Sequence, residues 1–146
     1  MADDTEKVSI NVSAMDLANI DLLVEKTLYK DRTDFFRTAI RNQADKHSYI
    51  IESAMKGFEE EKTRSKKFAL WVGPHVIDKE EFFELVEFSG TVAKIENKED
   101  LKIKLVVFGS LTIIDEISLE DLKNNIISIK VFGIFRASSE IKKYYK

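Results

Sequence analysis

The 146-residue sequence contains no cysteine. That excludes disulfides, thiol catalysis and cysteine-ligated zinc, and it fits a reducing compartment such as the cytoplasm. No apolar run approaches the ~20 residues that a membrane-spanning helix needs, so no membrane association is expected. The opening MADDTEK is acidic and lacks the apolar stretch of a signal peptide, so no secretory leader is expected. Positive charge is not in excess either: 23 Lys and Arg face 26 Asp and Glu, a net charge of −3. Residues 1–67 carry 12 basic against 13 acidic side chains, and residues 68–146 carry 11 against 13. Any binding to nucleic acid must therefore come from charge focused on one face. No Gly-rich phosphate loop, nucleophile elbow or paired-carboxylate motif is present, so an enzyme is the least expected class. What is there is a globular composition, 44% apolar and 34% charged.

The first patterned stretch is EKVSINVS, Glu6 to Ser13. Lys7, Ser9 and Asn11 alternate with Val8, Ile10 and Val12, the period of a strand with one dry face. Ser13 then stands where a helix N-cap stands, with Asp16 three residues on. Leu17, Ile20, Leu23 or Val24, and Leu28 give an amphipathic helix that should stop near LYKD. Asp31 is the next cap, with Asp34 behind it. From there Phe36, Ile40, Ala44, His47, Ile51, Ala54 and Phe58 recur at about 3.67 residues per turn. One second helix is expected to run to about Glu61, broken or bent at Gly57. Glu59–Lys67 has no apolar residue and reads as a linker.

Beyond the linker the texture changes. Four of the five glycines fall here, each after an apolar or aromatic residue group: WVG (Gly73), FSG (Gly90), VFG (Gly109) and VFG (Gly133). More strand-like sequence follows each, then a short cluster with acids at its head, as at Glu80/Glu81, Glu99/Asp100, Glu120/Asp121 and Glu140. This reads as an imperfect repeat of strand, glycine turn or bulge, strand and short helix. A unit of that size must stack on its neighbours to bury its apolar face, which gives a small β/α solenoid. The plainer alternative is an ordinary α+β sheet domain. The acidic pairs belong to helix first turns, where they favour the dipole, rather than to catalysis. Phe35, Phe36, Phe82, Phe83, Phe88, Phe108, Phe132 and Phe135 are expected in the core, and Trp71 at the first coil. His75, after WVGP, falls in an expected turn.

A lone strand followed by two helices cannot satisfy its own edges or cover its apolar face. A second copy of the chain solves both problems through antiparallel pairing about a two-fold axis. Val8, Ile10 and Val12 of both chains then face a shared helical core with Leu17, Ile20, Phe36 and Ile40. Lys7, Ser9 and Asn11 face outward on a two-stranded ribbon of a size that enters the DNA major groove.

At this point KVSINVSAMDLANIDLLVEKTLYKDRTDFFRTAIR resembles the ribbon-helix-helix repressors of the CopG, Arc and MetJ kind. The shared features are the alternating strand, the Ser-capped helix, the short turn and a helix that opens with RTDF (Arg32–Phe35) and carries AIR (Ala39–Arg41). The resemblance covers residues 6–48. It implies base contacts from Lys7, Ser9 and Asn11, and their chemistry suits the task. Lys can donate to guanine, Asn can pair with adenine, and Ser donates or accepts. The plainer reading of the same residues is a solvated edge. The resemblance also implies that the start of the second helix grips a phosphate, with the amides of Arg32, Thr33 and Asp34 pointing at it and help from Lys30, the Arg32 side chain and the Thr33 hydroxyl. The charges of Asp31 and Asp34 oppose that role.

Residues 7–47 hold seven basic and six acidic side chains, so few phosphate contacts per half-site and salt-sensitive binding are expected. His47 is expected at the dimer seam. A nickel-sensing relative would need a His-rich, Cys-containing C-terminal domain, so no metal or other cofactor is expected.

The expected architecture is α+β: residues 1–58 a ribbon-helix-helix dimerisation and DNA-binding domain, 59–67 a linker, 68–146 the β/α repeat domain. The expected function is a homodimeric, sequence-specific transcriptional regulator with operator DNA as partner. The C-terminal domain would mediate higher oligomers or bind a protein partner. Rival readings are an antitoxin whose C-terminal part neutralises a toxin, and an assembly protein that does not bind DNA.

Overall fold

The computed structural model describes residues 5–85 and 102–145. The chain divides into two compact units, Lys7–Lys56 and a second made of Met1–Glu6 with Gly57–Lys146. The architecture is α+β.

In the first unit, residues 7–13 form neither helix nor paired strand within the single chain. Helix α1 (Ala14–Glu25) starts where Ser13 provides the cap: its hydroxyl accepts from the Asp16 amide at 3.1 Å and donates to the Asp16 carboxylate at 2.6 Å. The helix ends in a Schellman turn. The amides of Thr27 and Leu28 donate to the carbonyls of Val24 and Leu23 at 2.9 and 3.1 Å. That turn needs a left-handed residue, and Thr27 fills it at φ 62° where glycine is the usual choice. Helix α2 (Arg32–Asp45) is capped by Asp31, whose carboxylate accepts from the Asp34 amide at 2.8 Å. Asp34 in turn accepts from the Lys30 amide at 3.1 Å.

Two expectations for the second helix are corrected. It is not one helix but two, with a break at Lys46–His47 before α3 (Ser48–Arg64). Lys46 keeps right-handed helical dihedrals, φ −60° and ψ −22°, so the chain leaves α2 still in a helical conformation. Gly57, where the break was expected, lies inside α3 with nothing within 4 Å of the place a Cβ would take. The expected linker is also largely helical, since α3 runs to Arg64. Glu and Lys are good helix formers, and Lys62 and Arg64 in the last turn complement the dipole.

The second unit is built on three strands, β1 (Phe68–Ile77), β2 (Ile103–Ile113) and β3 (Ile126–Arg136), all parallel and in the order β1-β2-β3. Residues 79–85 are helical. Helices α4 (Leu119–Asn125) and α5 (Ser139–Tyr144) are capped by Ser118 and Ser138 and carry acids in their first turns. The sequence of strand, glycine, strand and short helix thus recurs three times among the described residues. Gly90 and Glu99/Asp100 lie outside the described residues, as does Phe88, and β1 pairs directly with β2.

The glycines align across the sheet. Gly73 pairs with Gly109, and Gly109 with Gly133. A Cβ on Gly109 would overlap the Gly73 carbonyl oxygen, and a Cβ on Gly133 would overlap that of Gly109. The stretch WVGPH, expected as a turn, is therefore mid-strand. The imidazole of His75 stacks on Trp71 with ring centroids 5.0 Å apart.

The main buried cluster lies on one face of the sheet, while Phe68, Leu70 and Val106 are buried on the other. Ile77, Leu105, Val107, Leu111, Ile113 and Ile129 pack with Ile117, Leu122 of α4, Ile126 and Ile141 of α5. Each such buried aliphatic side chain is worth roughly 1.5–3 kcal/mol. The expectation of a phenylalanine core is corrected. Of the seven expected core phenylalanines that are described, Phe82 and Phe135 pack against the core as partly buried side chains, none is fully buried, and Phe83 is 67% exposed. Phe108 and Phe132 sit on the face opposite the core, in register with Val72, where Phe58 of α3 packs against Phe132 and Phe68 at centroid distances of 5.9 and 6.3 Å.

Candidate nucleic-acid interface

The expected site residues all fall in the first unit, and its burial sets their context. Across Lys7–Lys56 only Ile20 is buried, at 4% exposure. Val8 is 78% and Ile10 65% exposed, while Val12 is half-buried. Leu17 and Phe36 are half-buried, and Ile40 is exposed. Leu22, Leu28, Tyr49, Ile50 and Ile51 are exposed as well. Of the apolar side chains expected in a shared core, Val8, Ile10 and Ile40 are therefore left uncovered within one chain, Val12, Leu17 and Phe36 are partly covered, and Ile20 alone is buried.

Lys7, Ser9 and Asn11 are exposed and alternate with those apolar residues. They lie immediately before the Ser13 cap, so the segment leads directly into α1.

The start of α2 has the geometry of an N-cap, but its amides are not all available to an anion. The Asp34 amide donates to Asp31, which leaves the amides of Arg32 and Thr33 as the pair facing outward from the first turn. Thr33 and the Lys30 side chain are exposed. The Arg32 guanidinium is held by a residue that sequence reading did not single out. Its Nε and Nη2 donate to the two carboxylate oxygens of Asp21 at 2.6 and 2.7 Å. This bidentate pair ties α2 to α1 across the turn, with both side chains about half exposed, 52% and 50%. The hydrogen bond from Arg32 holds the Asp21 carboxyl below its ordinary value, and the same bond raises Arg32. A phosphate at this end must share or displace Asp21. Eleven residues separate the two partners, so no helical spacing announces the pair. The only signal was an acid placed mid-helix opposite a short turn.

Around the turn, Tyr29 and Phe35 meet edge to face at 5.0 Å, and Phe35 meets Phe36 at 5.9 Å. These rings set the approach of the turn to α2. His47 lies exposed at the break, with Nε2 3.5 Å from the Gln43 amide. Among the described residues no group of three or more His, Cys, Asp or Glu is placed to hold a metal ion. Nor is any helix among them long and apolar enough to cross a membrane.

No curated protein and no solved structure gives a significant match to this chain. A family model does, over residues 3–142, so the match takes in both the N-terminal unit and the sheet with its glycine column. With that span matched, the chain belongs to the Ribbon-Helix-Helix transcriptional regulator family.

Proposed function

We propose that the protein is a homodimeric, sequence-specific DNA-binding regulator. Residues 6–13 of two copies pair antiparallel, and the resulting ribbon enters the major groove. The observation that carries this reading is the burial of the first unit: one buried side chain in Lys7–Lys56, with Val8, Ile10 and Ile40 left in water. Leaving that apolar surface exposed is unfavourable for a stably folded unit, and a two-fold partner removes it from water. Family membership supports the same arrangement.

In this arrangement Lys7, Ser9 and Asn11 read base edges. The Arg32 and Thr33 amides, with Lys30 and the Thr33 hydroxyl, hold a backbone phosphate. The Arg32 side chain contributes to the extent that it leaves Asp21. The second unit, with its three aligned glycines, stacks as a short β/α coil and serves oligomerisation or partner binding.

Fluorescence anisotropy on DNA from the gene's own promoter region tests the ribbon. Replacing both Lys7 and Asn11 by Ala should cost at least about tenfold in affinity for the specific site, since each base-directed pair is worth roughly 1–3 kcal/mol. Binding to unrelated DNA should change far less. Equal affinity of wild type and the double variant for the specific site would refute readout by this segment.

A further inference from the structure

The sheet ends on β3. Its inner edge pairs with β2, and among the described residues no strand pairs with the other edge. An open strand edge offers a row of amides and carbonyls to any extended chain. Here it also forms the wall of a groove of about 970 Å³. Five consecutive residues of β3, Ile127 to Val131, line it together with Lys142, Tyr144 and Tyr145 from and just after α5. Tyr145 fixes that segment in place: its hydroxyl donates to the Ile126 carbonyl at 3.0 Å, at the start of the strand.

Among the described residues the groove has one sign of charge: Lys130 and Lys142 line it and no Asp or Glu does, with the Lys130 ammonium 5.2 Å from the Phe132 ring. Lys123 lies over the Tyr144 ring at 4.3 Å, next to the same wall. The unit as a whole has more acids than bases, so the net charge does not account for this local excess.

We propose that this groove is a docking site for an extended, acidic peptide segment of a partner protein, which adds to the sheet as a fourth strand beside β3. Main-chain hydrogen bonds to the edge provide the pairing. Ile127 and Tyr144, both about half exposed, receive apolar side chains, and Lys130 and Lys142 receive carboxylates. A second copy of β3 is the poorer occupant, because an isologous antiparallel pair brings two copies of the same lysine-bearing edge together. The inference takes up the partner-binding role proposed above for the second unit. It does not depend on the ribbon reading DNA, and the two are measured separately.

The test uses the full-length chain and nine-residue synthetic peptides that alternate Glu or Asp with Val or Ile. The controls are the same peptides with Lys in place of every acid. Amide NMR shifts report where each peptide binds, and anisotropy reports how tightly. The acidic peptide should perturb the amides of residues 127–131 and bind more tightly than its Lys counterpart. Lys130→Glu with Lys142→Glu should lower that affinity by about tenfold, as expected when two exposed ion pairs become like-charge contacts. Both lysines are exposed, so the variant keeps the fold, and its unchanged DNA affinity would separate this site from the ribbon. The proposal is overturned if acidic and basic peptides bind alike, or if the shifts map elsewhere. Edge amides of β3 already protected from exchange in the peptide-free protein, with no peptide bound, would also overturn it and assign the edge to a second copy.

Discussion

Replacing glycines one at a time by alanine should separate three physical situations that look alike in the sequence. At Gly109 the backbone has φ 142°, and the added Cβ would overlap the Gly73 oxygen and lie 2.8 Å from its carbonyl carbon. The φ alone costs on the order of 1–3 kcal/mol for a residue with a side chain. The overlap is with backbone of the neighbouring strand, which cannot rotate away, so β1 and β2 must part locally. Losing two or three ladder hydrogen bonds adds about 1 kcal/mol each. The total, on the order of 4 kcal/mol or more, is a large fraction of the 5–15 kcal/mol that typically holds a domain together. At Gly73 the φ is 98°, but nothing lies within 4 Å of the Cβ position, so only the backbone term of roughly 1–3 kcal/mol remains. At Gly57 neither penalty exists, and Ala inside α3 should stabilise by about 0.5–1 kcal/mol. Urea unfolding followed by far-ultraviolet circular dichroism and by the single tryptophan, Trp71 of β1, reads all three. If Gly109→Ala costs no more than Gly73→Ala, the strands are not packed carbonyl over glycine, and the description of the column is wrong.

Three further outcomes are expected. Asp21→Asn removes the carboxylate that holds Arg32, so DNA binding should tighten several-fold, with a salt dependence steeper by up to about one counterion per chain; an unchanged slope would mean that Arg32 faces no phosphate. Thr27→Gly relieves a β-branched residue in the left-handed region and should raise stability by about 1 kcal/mol in thermal melts, whereas a loss would point to a contact made by the Thr27 side chain in the assembled protein. Burial pushes the Tyr145 phenol up to about 12, so a spectrophotometric titration should show its ionisation well above the ordinary phenol range. Because its folded value is raised, its contribution is fully present below about pH 10 and is lost as the pH rises through about 12. Tyr145→Phe should abolish that alkaline dependence.

The helix starts were legible because their signals are local. Ser13 and Asp31 act as caps through residues three positions away, and both appear as read. The helix ends were less so. At Lys46 the helix is interrupted while the residue keeps helical dihedrals, and the apolar period that marks a helix gives no sign of the break. In Glu59–Lys67 the lack of apolar residues suggests a linker, but polarity ends a helix only where the residues are poor helix formers, and Glu and Lys are good ones. The glycine motif was visible as a repeat. Its register across three strands was not, because register depends on pairing between residues 24 to 36 positions apart. The phenylalanines misled for a related reason. Hydrophobicity alone does not say which face of the sheet a side chain takes, and the fully buried positions of the main cluster are Ile, Leu and Val, with Phe82 and Phe135 only at its margin. The Asp21–Arg32 clamp, formed across a turn, leaves no periodic trace at all.

The division of burial between the units bears on how such a regulator works. Among the described residues, fourteen of the fifteen buried apolar side chains lie between Phe68 and Ile141, and Ile20 alone serves the first unit. The second unit thus has a core that needs no partner. On the proposed reading the first unit completes its core only by meeting its twin, so the DNA-reading surface exists in proportion to dimer rather than to chain. Each exposed Val8 and Ile10 that becomes covered then adds to the same free energy that aligns Lys7, Ser9 and Asn11 into one ribbon. Folding of that unit, dimerisation and formation of the reading face are on this account a single event, and any contact through the second unit that brings two chains together would favour it by raising the local concentration of the strands.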